Sequence, residues 1–94
     1  MRASVTNETR LVVAAQAGDR RALDELVTAY LPLVYTVVRR ALNDHPDVDD
    51  VVQEIMLRVL RKLSSLRDLD RFRPWLLAIA MRQVGTQLRR GHLA

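Results

Sequence analysis

Apolar residues return at steps of three and four along almost the whole chain, the signature of amphipathic helices. The clearest run lies around Asp49 to Leu63. Val48, Val52, Ile55, Met56, Val59, Leu60 and Leu63 share one face of it, and Asp50, Gln53, Glu54, Leu57, Arg58 and Arg61 share the other. The first face predicts core. The second sets Leu57 among a carboxylate, an amide and arginines. It reads either as a solvated face with one exposed leucine or as a surface that meets another protein.

The punctuation around this run predicts three further helices. Thr6 or Asn7 caps a first one, with Glu8 at its positive end and a thin stripe of Leu11, Ala14 and Ala15; Gly18 stops it. Asp19 caps a second, in which Ala22, Leu23, Leu26, Val27, Tyr30, Leu33, Val34, Val37, Val38, Ala41 and Leu42 keep the helical period. Pro32 predicts a kink or break near Tyr30–Leu31, with the two pieces collinear because the apolar phase resumes on the same face. Tyr30 and Tyr35 fit the core with their hydroxyls at its rim. Asn43 to Pro46 is a turn, and Pro46 suits the first position of the third helix. Ser64 to Arg71 is a polar connector; Asp70 or a neighbour caps the last helix, with Pro74 in its first turn. That helix turns Phe72, Leu76, Ile79, Ala80, Gln83 and Val84 inward. A second stripe runs Trp75, Ala78, Arg82, Gly85, Thr86, Arg89. Either Trp75 is core and Arg82 a solvated arginine, or the stripe faces nucleic acid, with Ala78 and Gly85 allowing close approach and Arg82 donating to bases or phosphates. The fold class is all-α: a compact bundle of three to four helices, one domain over residues 1–94 with a frayed terminus at residues 1–6.

Charge sharpens the picture. The net charge is +4, but residues 1–50 hold six Arg against eight Asp and Glu, and residues 51–94 hold nine Arg and Lys against three acids. A basic segment on a balanced domain is either an electrostatic footprint for a polyanion or a solubilising surface. Asp47, Asp49 and Asp50 invite a metal reading, but a calcium-loop glycine and closing glutamate are missing, and complementarity to the helix dipole accounts for them. The chain has no cysteine, hence no disulfide and no thiolate zinc site. His45 and His92 have no partner pattern. No catalytic constellation is present, so no enzyme activity and no cofactor are expected. No apolar run approaches the roughly 20 residues of a membrane span, and the N-terminus lacks a signal-peptide core; a soluble, cytoplasmic protein is expected.

Several blocks together carry a resemblance: Gly18-Asp19 followed by Ala22-Leu23-Asp24-Glu25-Leu26; Tyr30-Leu31-Pro32-Leu33-Val34-Tyr35; Asp49-Asp50-Val51-Val52-Gln53-Glu54; Phe72-Arg73-Pro74-Trp75-Leu76-Leu77-Ala78-Ile79-Ala80; and Arg89-Arg90. From about Leu11 to Arg90 the chain resembles the region-two domain of extracytoplasmic-function sigma factors of bacterial RNA polymerase. The resemblance implies that Asp50, Gln53, Glu54, Leu57, Arg58 and Arg61 dock on the clamp helices of the largest polymerase subunit. It implies that the connector and last helix open promoter DNA at the −10 element and capture a base of the non-template single strand. Leu66, Arg67, Asp68, Arg71, Arg73, Trp75, Arg82, Thr86, Arg89 and Arg90 are the DNA-binding candidates by position. It further implies an anti-sigma partner, no ATP consumption and no membrane contact. The chain departs from the family where Leu66 replaces an aromatic, Asp68 a glycine, Arg82 an asparagine and Thr86 an aspartate, so promoter preference is expected to differ. The family's second, helix-turn-helix domain is not in this chain. Two other readings remain beside this one: a helical protein-interaction module, and a sequence-independent nucleic-acid binder whose affinity falls steeply with salt.

Overall fold

The computed structural model describes residues 6–90, which form four α-helices and no strand. They are α1 (Asn7–Gln16), α2 (Arg20–Ala41), α3 (Val48–Lys62) and α4 (Phe72–Arg89), with two 3-10 turns, Leu63–Ser65 and Leu69–Arg71, between α3 and α4. Apart from Thr6, the expected frayed terminus lies outside the described residues, as does His92.

The caps predicted for the first two helices form. The Thr6 hydroxyl accepts the Thr9 amide at 3.0 Å, and the Asp19 carboxylate accepts the amides of Arg21 and Ala22 at 3.0 and 3.2 Å, each satisfying donors that a helix start leaves open. Gly18 takes the left-handed φ of +98° that ends α1. Pro32 does not break α2, which runs unbroken for 22 residues. Ala22, Leu26, Val34 and Val38 of α2 are buried on both sides of the proline, and this packing holds the helix where propensity alone opposes it. The α2–α3 turn carries consecutive left-handed residues, Asn43 and Asp44, and the Asp44 amide reaches back to the Arg39 carbonyl at 2.9 Å. Pro46 falls in this turn, two residues before α3 begins. The His45 carbonyl and ring nitrogen have already engaged the amides of Val48 and Asp47, so the turn closes on histidine and leaves the proline outside the helix.

One core joins all four helices, and α2 meets each of the other three. Val12 of α1, Leu26 and Val34 of α2, Ile55 of α3, and Phe72 and Leu76 of α4 are buried in it. On α1 the buried residue is Val12, not Ala14 of the expected stripe. On α3 two positions depart from expectation: Leu60 is 40% exposed while Val51 is buried. At about 100° per residue, Leu60 lies beyond the Met56 edge of the core face, and Val51 lies beside Ile55 on the flank toward α4. The inward face of α4 is as expected, with Gln87 buried in addition.

The two tyrosines sit at the rim of the core. The Tyr30 hydroxyl donates to Glu8 of α1, and Tyr35 shares a recess with Asp49 at the start of α3. Burial, then the Glu8 bond and its charge, push the Tyr30 pKa up to about 12. A phenol whose pKa is raised by folding stabilises the native state fully below its unfolded value of about 10. That contribution is lost as pH climbs through about 12. Urea unfolding of the wild-type chain is therefore expected to show stability falling more steeply between these two pH values than in Tyr30→Phe; parallel profiles would show that the Glu8–Tyr30 bond does not survive in solution.

Candidate protein and nucleic-acid interface

The outer face of α3 is assembled as the period predicts. Asp50, Gln53, Glu54, Leu57, Arg58 and Arg61 are all exposed, and Leu57 is 44% accessible. With Leu60 it forms a short apolar pair within a charged field, the composition of a contact surface. Glu54 sits at the edge of this face and accepts a 3.1 Å hydrogen bond from the Gln83 amide of α4. Gln83 is only 3% exposed, so the carboxylate serves as partner to a buried donor that would otherwise be costly.

The connector is an ordered strap. Its first 3-10 turn is closed by the Leu66 amide on the Leu63 carbonyl and by Ser65 Oγ on the Lys62 carbonyl. The expected cap of the last helix does not form: the Asp68 carboxylate accepts the Asp70 amide at the start of the second 3-10 turn, and that turn runs directly into α4, whose start at Arg71 has no side-chain cap. Asp70 instead accepts the Thr9 hydroxyl of α1 at 3.1 Å. The strongest restraint also comes from α1. Gln16 Nε2 donates to the carbonyls of Leu63 and Leu66 at 2.9 and 2.8 Å, tying both ends of the first turn to one side chain.

Beyond this strap, Leu66, Asp68, Arg71, Pro74 and Trp75 line an open depression of about 330 Å³. Trp75 is half-buried and tilted at 42° against Phe72, ring centroids 5.8 Å apart; Phe72 in turn meets Tyr30 edge-on at 5.3 Å. Trp75 thus has one side on the core and one on the depression. Leu66 is buried and forms the floor of the depression, not an outward-facing group, because an apolar side chain at this position folds into the core where a polar one would not. Arg71 lines its edge, and Arg67 and Arg73, four and one residues from Arg71 and Pro74 in the chain, are exposed.

Arg82 and Thr86 are two to three turns further along α4 and do not reach the depression. They line a separate crevice with Arg58 and Lys62 of α3. The end of the flexible Arg89 side chain lies over Gly85. Arg89 folds back along the helix: a Cβ on Gly85 would lie 3.4 Å from Arg89 Nη1, and Arg89 Nη2 bonds Thr86 Oγ1 at 3.3 Å. Arg90 likewise folds onto Gln87.

With this geometry in place, residues 26–92 match the family described as Sigma-70 region 2. The chain belongs to that family. It is 34% identical over 74 residues to RNA polymerase sigma-H factor of Pseudomonas aeruginosa, covering 79% of this chain and 38% of the relative. It is 39% identical over 71 residues to ECF RNA polymerase sigma-E factor of Escherichia coli (strain K12), covering 76% of this chain and 37% of the relative. The chain therefore spans less than two fifths of these curated relatives. A solved structure superposes with a TM-score of 0.80 and 33% identity over 95% of this chain and 93% of the other; it is an NMR structure of an engineered region 2 of sigmaE in complex with GTAAAA. The region-two resemblance and the all-α fold class read from the sequence both hold.

Within the sigma region-two fold, sequence reasoning missed Gln16, Thr9 and Lys62. Gln16 stands four residues after Val12 and eight after Glu8, so one face of α1 carries the Tyr30 bond, a core residue and the connector bond in successive turns. The i, i+4, i+8 spacing was the available signal. Among the described residues no group of three or more His, Cys, Asp or Glu is placed to hold a metal ion, and no helix is long and apolar enough to cross a membrane.

Proposed function

We propose that this chain is the part of a bacterial transcription initiation factor that docks on RNA polymerase and holds the melted −10 element of a promoter. The observation that carries the reading is the superposition, over nearly the whole chain, on a region 2 of sigmaE in complex with GTAAAA. In this reading Asp50, Gln53, Glu54, Leu57 and Arg61, with Arg58 at the border, meet the clamp helices of the largest polymerase subunit. The depression beside Trp75 receives a base flipped from the non-template strand, since a stacking ring next to exposed arginines suits a base and its phosphates. Leu66 supplies its apolar floor, and Asp68, Arg67, Arg71 and Arg73 its polar rim. Arg82, Thr86, Arg89 and Arg90 continue the basic track along α4. The chain works as a binding module: binding energy favours the open state and no bond of a substrate is broken. An anti-sigma protein covering the same surfaces in the cytoplasm completes the reading.

The test is fluorescence anisotropy of labelled single strands with −10-like sequences, in the presence and absence of core polymerase. The comparison is Gln53→Ala combined with Glu54→Gln, which keeps an acceptor for Gln83. Binding should depend on sequence and on core, and the double variant should weaken the ternary complex by about tenfold or more, the loss of at least one interfacial hot spot. Affinity that ignores both sequence and core would leave a sequence-independent basic module, and the transcription-initiation reading would be abandoned.

A further inference from the structure

The turn from α2 into α3 is held by one imidazole. Asp47, at the cap position of α3, makes no side-chain capping bond, and Pro46 before it has no amide to offer. His45 closes the turn instead. Its ring Nδ1 accepts the Asp47 amide at 3.0 Å, and its carbonyl accepts the Val48 amide at 3.0 Å. A ring nitrogen that accepts carries no proton, so this arrangement belongs to the neutral imidazole with its hydrogen on Nε2. The same Nδ1 lies 3.8 Å from the Asp47 carboxylate. Tyr35 and Arg39 of α2, Asp44 of the turn and Asp49 of α3 line the recess beside the ring. A proton on Nδ1 therefore reverses the bonding. A donor then stands where the Asp47 amide needs an acceptor, and the carboxylates of Asp44, Asp47 and Asp49 become the ring's partners.

We propose that His45 is a proton-operated clasp on the head of α3, closed when the ring is neutral and open when a proton from solvent occupies Nδ1. Imidazoles exchange this proton within about pH 5–8. The direction of the effect follows from the opposing contributions. Arg39 and the positive end of the α3 dipole oppose the cation, while Asp44, Asp47 and Asp49 favour it. Ion pairs open to solvent are worth little, whereas the Asp47 amide loses the acceptor that anchors the turn. The first turn of α3 therefore frays in mild acid. Asp50, which heads the outer face of α3, stands in that turn. Under the polymerase reading, on which this consequence rests, docking weakens as the clasp opens. The clasp itself depends on the turn alone.

Two measurements test it, each with the whole chain. The first is NMR of the His45 ring nitrogens and the α3 amides between about pH 8 and pH 5, in wild type, His45→Asn and His45→Ala. An asparagine carbonyl accepts the amide two residues on without titrating. In the wild type Nδ1 should be the unprotonated nitrogen at the upper pH. The Asp47 amide should move with the midpoint of the ring, its protection against exchange falling by about fivefold, the worth of one cap. His45→Asn should keep that protection across the range, and His45→Ala should lack it throughout. A hydrogen on Nδ1 at the upper pH would overturn the clasp. So would an Asp47 amide that titrates equally in His45→Asn, which would assign the response to the carboxylates. The second measurement compares the affinity of wild type and His45→Asn for core polymerase at both ends of the range. A wild-type affinity that falls by about fivefold relative to His45→Asn supports the link to docking. Equal pH profiles overturn that link and leave the clasp standing. No binding at either pH overturns the polymerase reading, and the clasp is then decided by the NMR result alone.

Discussion

Phe72→Ala is expected to remove about 3–5 kcal/mol of stability, from a domain whose total at this length is of order 5–14 kcal/mol. Phe72 is 2% exposed and is the first residue of α4, so its ring fixes the place where the connector becomes helix. It touches Tyr30 edge-on and Trp75 at a tilt; such aromatic pairs add roughly 0.5–1.5 kcal/mol each beyond area burial. Truncation therefore opens a cavity at the junction of α2, the connector and α4, and frees Trp75 from its inner support. Denaturant unfolding followed by helical circular dichroism should show the midpoint collapse in Phe72→Ala. Phe72→Leu should cost far less, since it fills most of the volume. A loss below about 1 kcal/mol in Phe72→Ala would mean that the site collapses around the deletion and that the ring is not the anchor of the junction.

The second large effect is expected at Gln16. Gln16→Leu keeps most of the volume but cannot donate, which leaves the Leu63 and Leu66 carbonyls without their α1 partner. Two part-buried acceptors lose their bond together, at about 1–3 kcal/mol for each that water cannot reach. The damage should be local. Amide hydrogen exchange at Leu66 and Arg71, whose amides close the two connector turns, should speed up, while Ile55 and Val59 in the middle of α3 should change only by the global loss. Single-strand affinity should fall with the connector. Uniform acceleration across all four helices would show that Gln16 merely stabilises the bundle and does not hold the strap.

How much of this was legible in the sequence follows from which physical signals are local. The Thr6 and Asp19 caps, the Gly18 stop and the inward face of α4 are written in neighbouring residues, and the structure reproduces them. Pro32 was expected to kink or break the helix, but α2 runs through it unbroken, with Leu26, Val34 and Val38 buried on either side, a contribution that no local rule counts. Leu60 and Val51 exchanged places because the period gives the direction of a face but not its width; the width on α3 is set by where α4 lies. Leu66 was a DNA-binding candidate by its position in the resemblance, yet its side chain is buried, which position alone does not reveal. The bonds of Gln16, Gln83 and Asp70 join residues 29 to 61 positions apart, and an amide or carboxylate carries no mark of its distant partner. The crevice between α3 and α4 was invisible for the same reason: Lys62 and Arg82 become neighbours only when the helices pack.

The stretch that matches the Sigma-70 region 2 family begins at residue 26, inside α2 and after the whole of α1. Yet α1 places Val12 in the common core, receives the Tyr30 hydroxyl and holds the connector through Thr9 and Gln16. The segment by which the family is recognised and the segment that folds as one cooperative body thus have different edges. A fragment trimmed to the recognisable block would bare the apolar seat of Val12 and release the strap on which the depression beside Trp75 is built, so the smallest self-sufficient unit starts no later than the cap at Thr6.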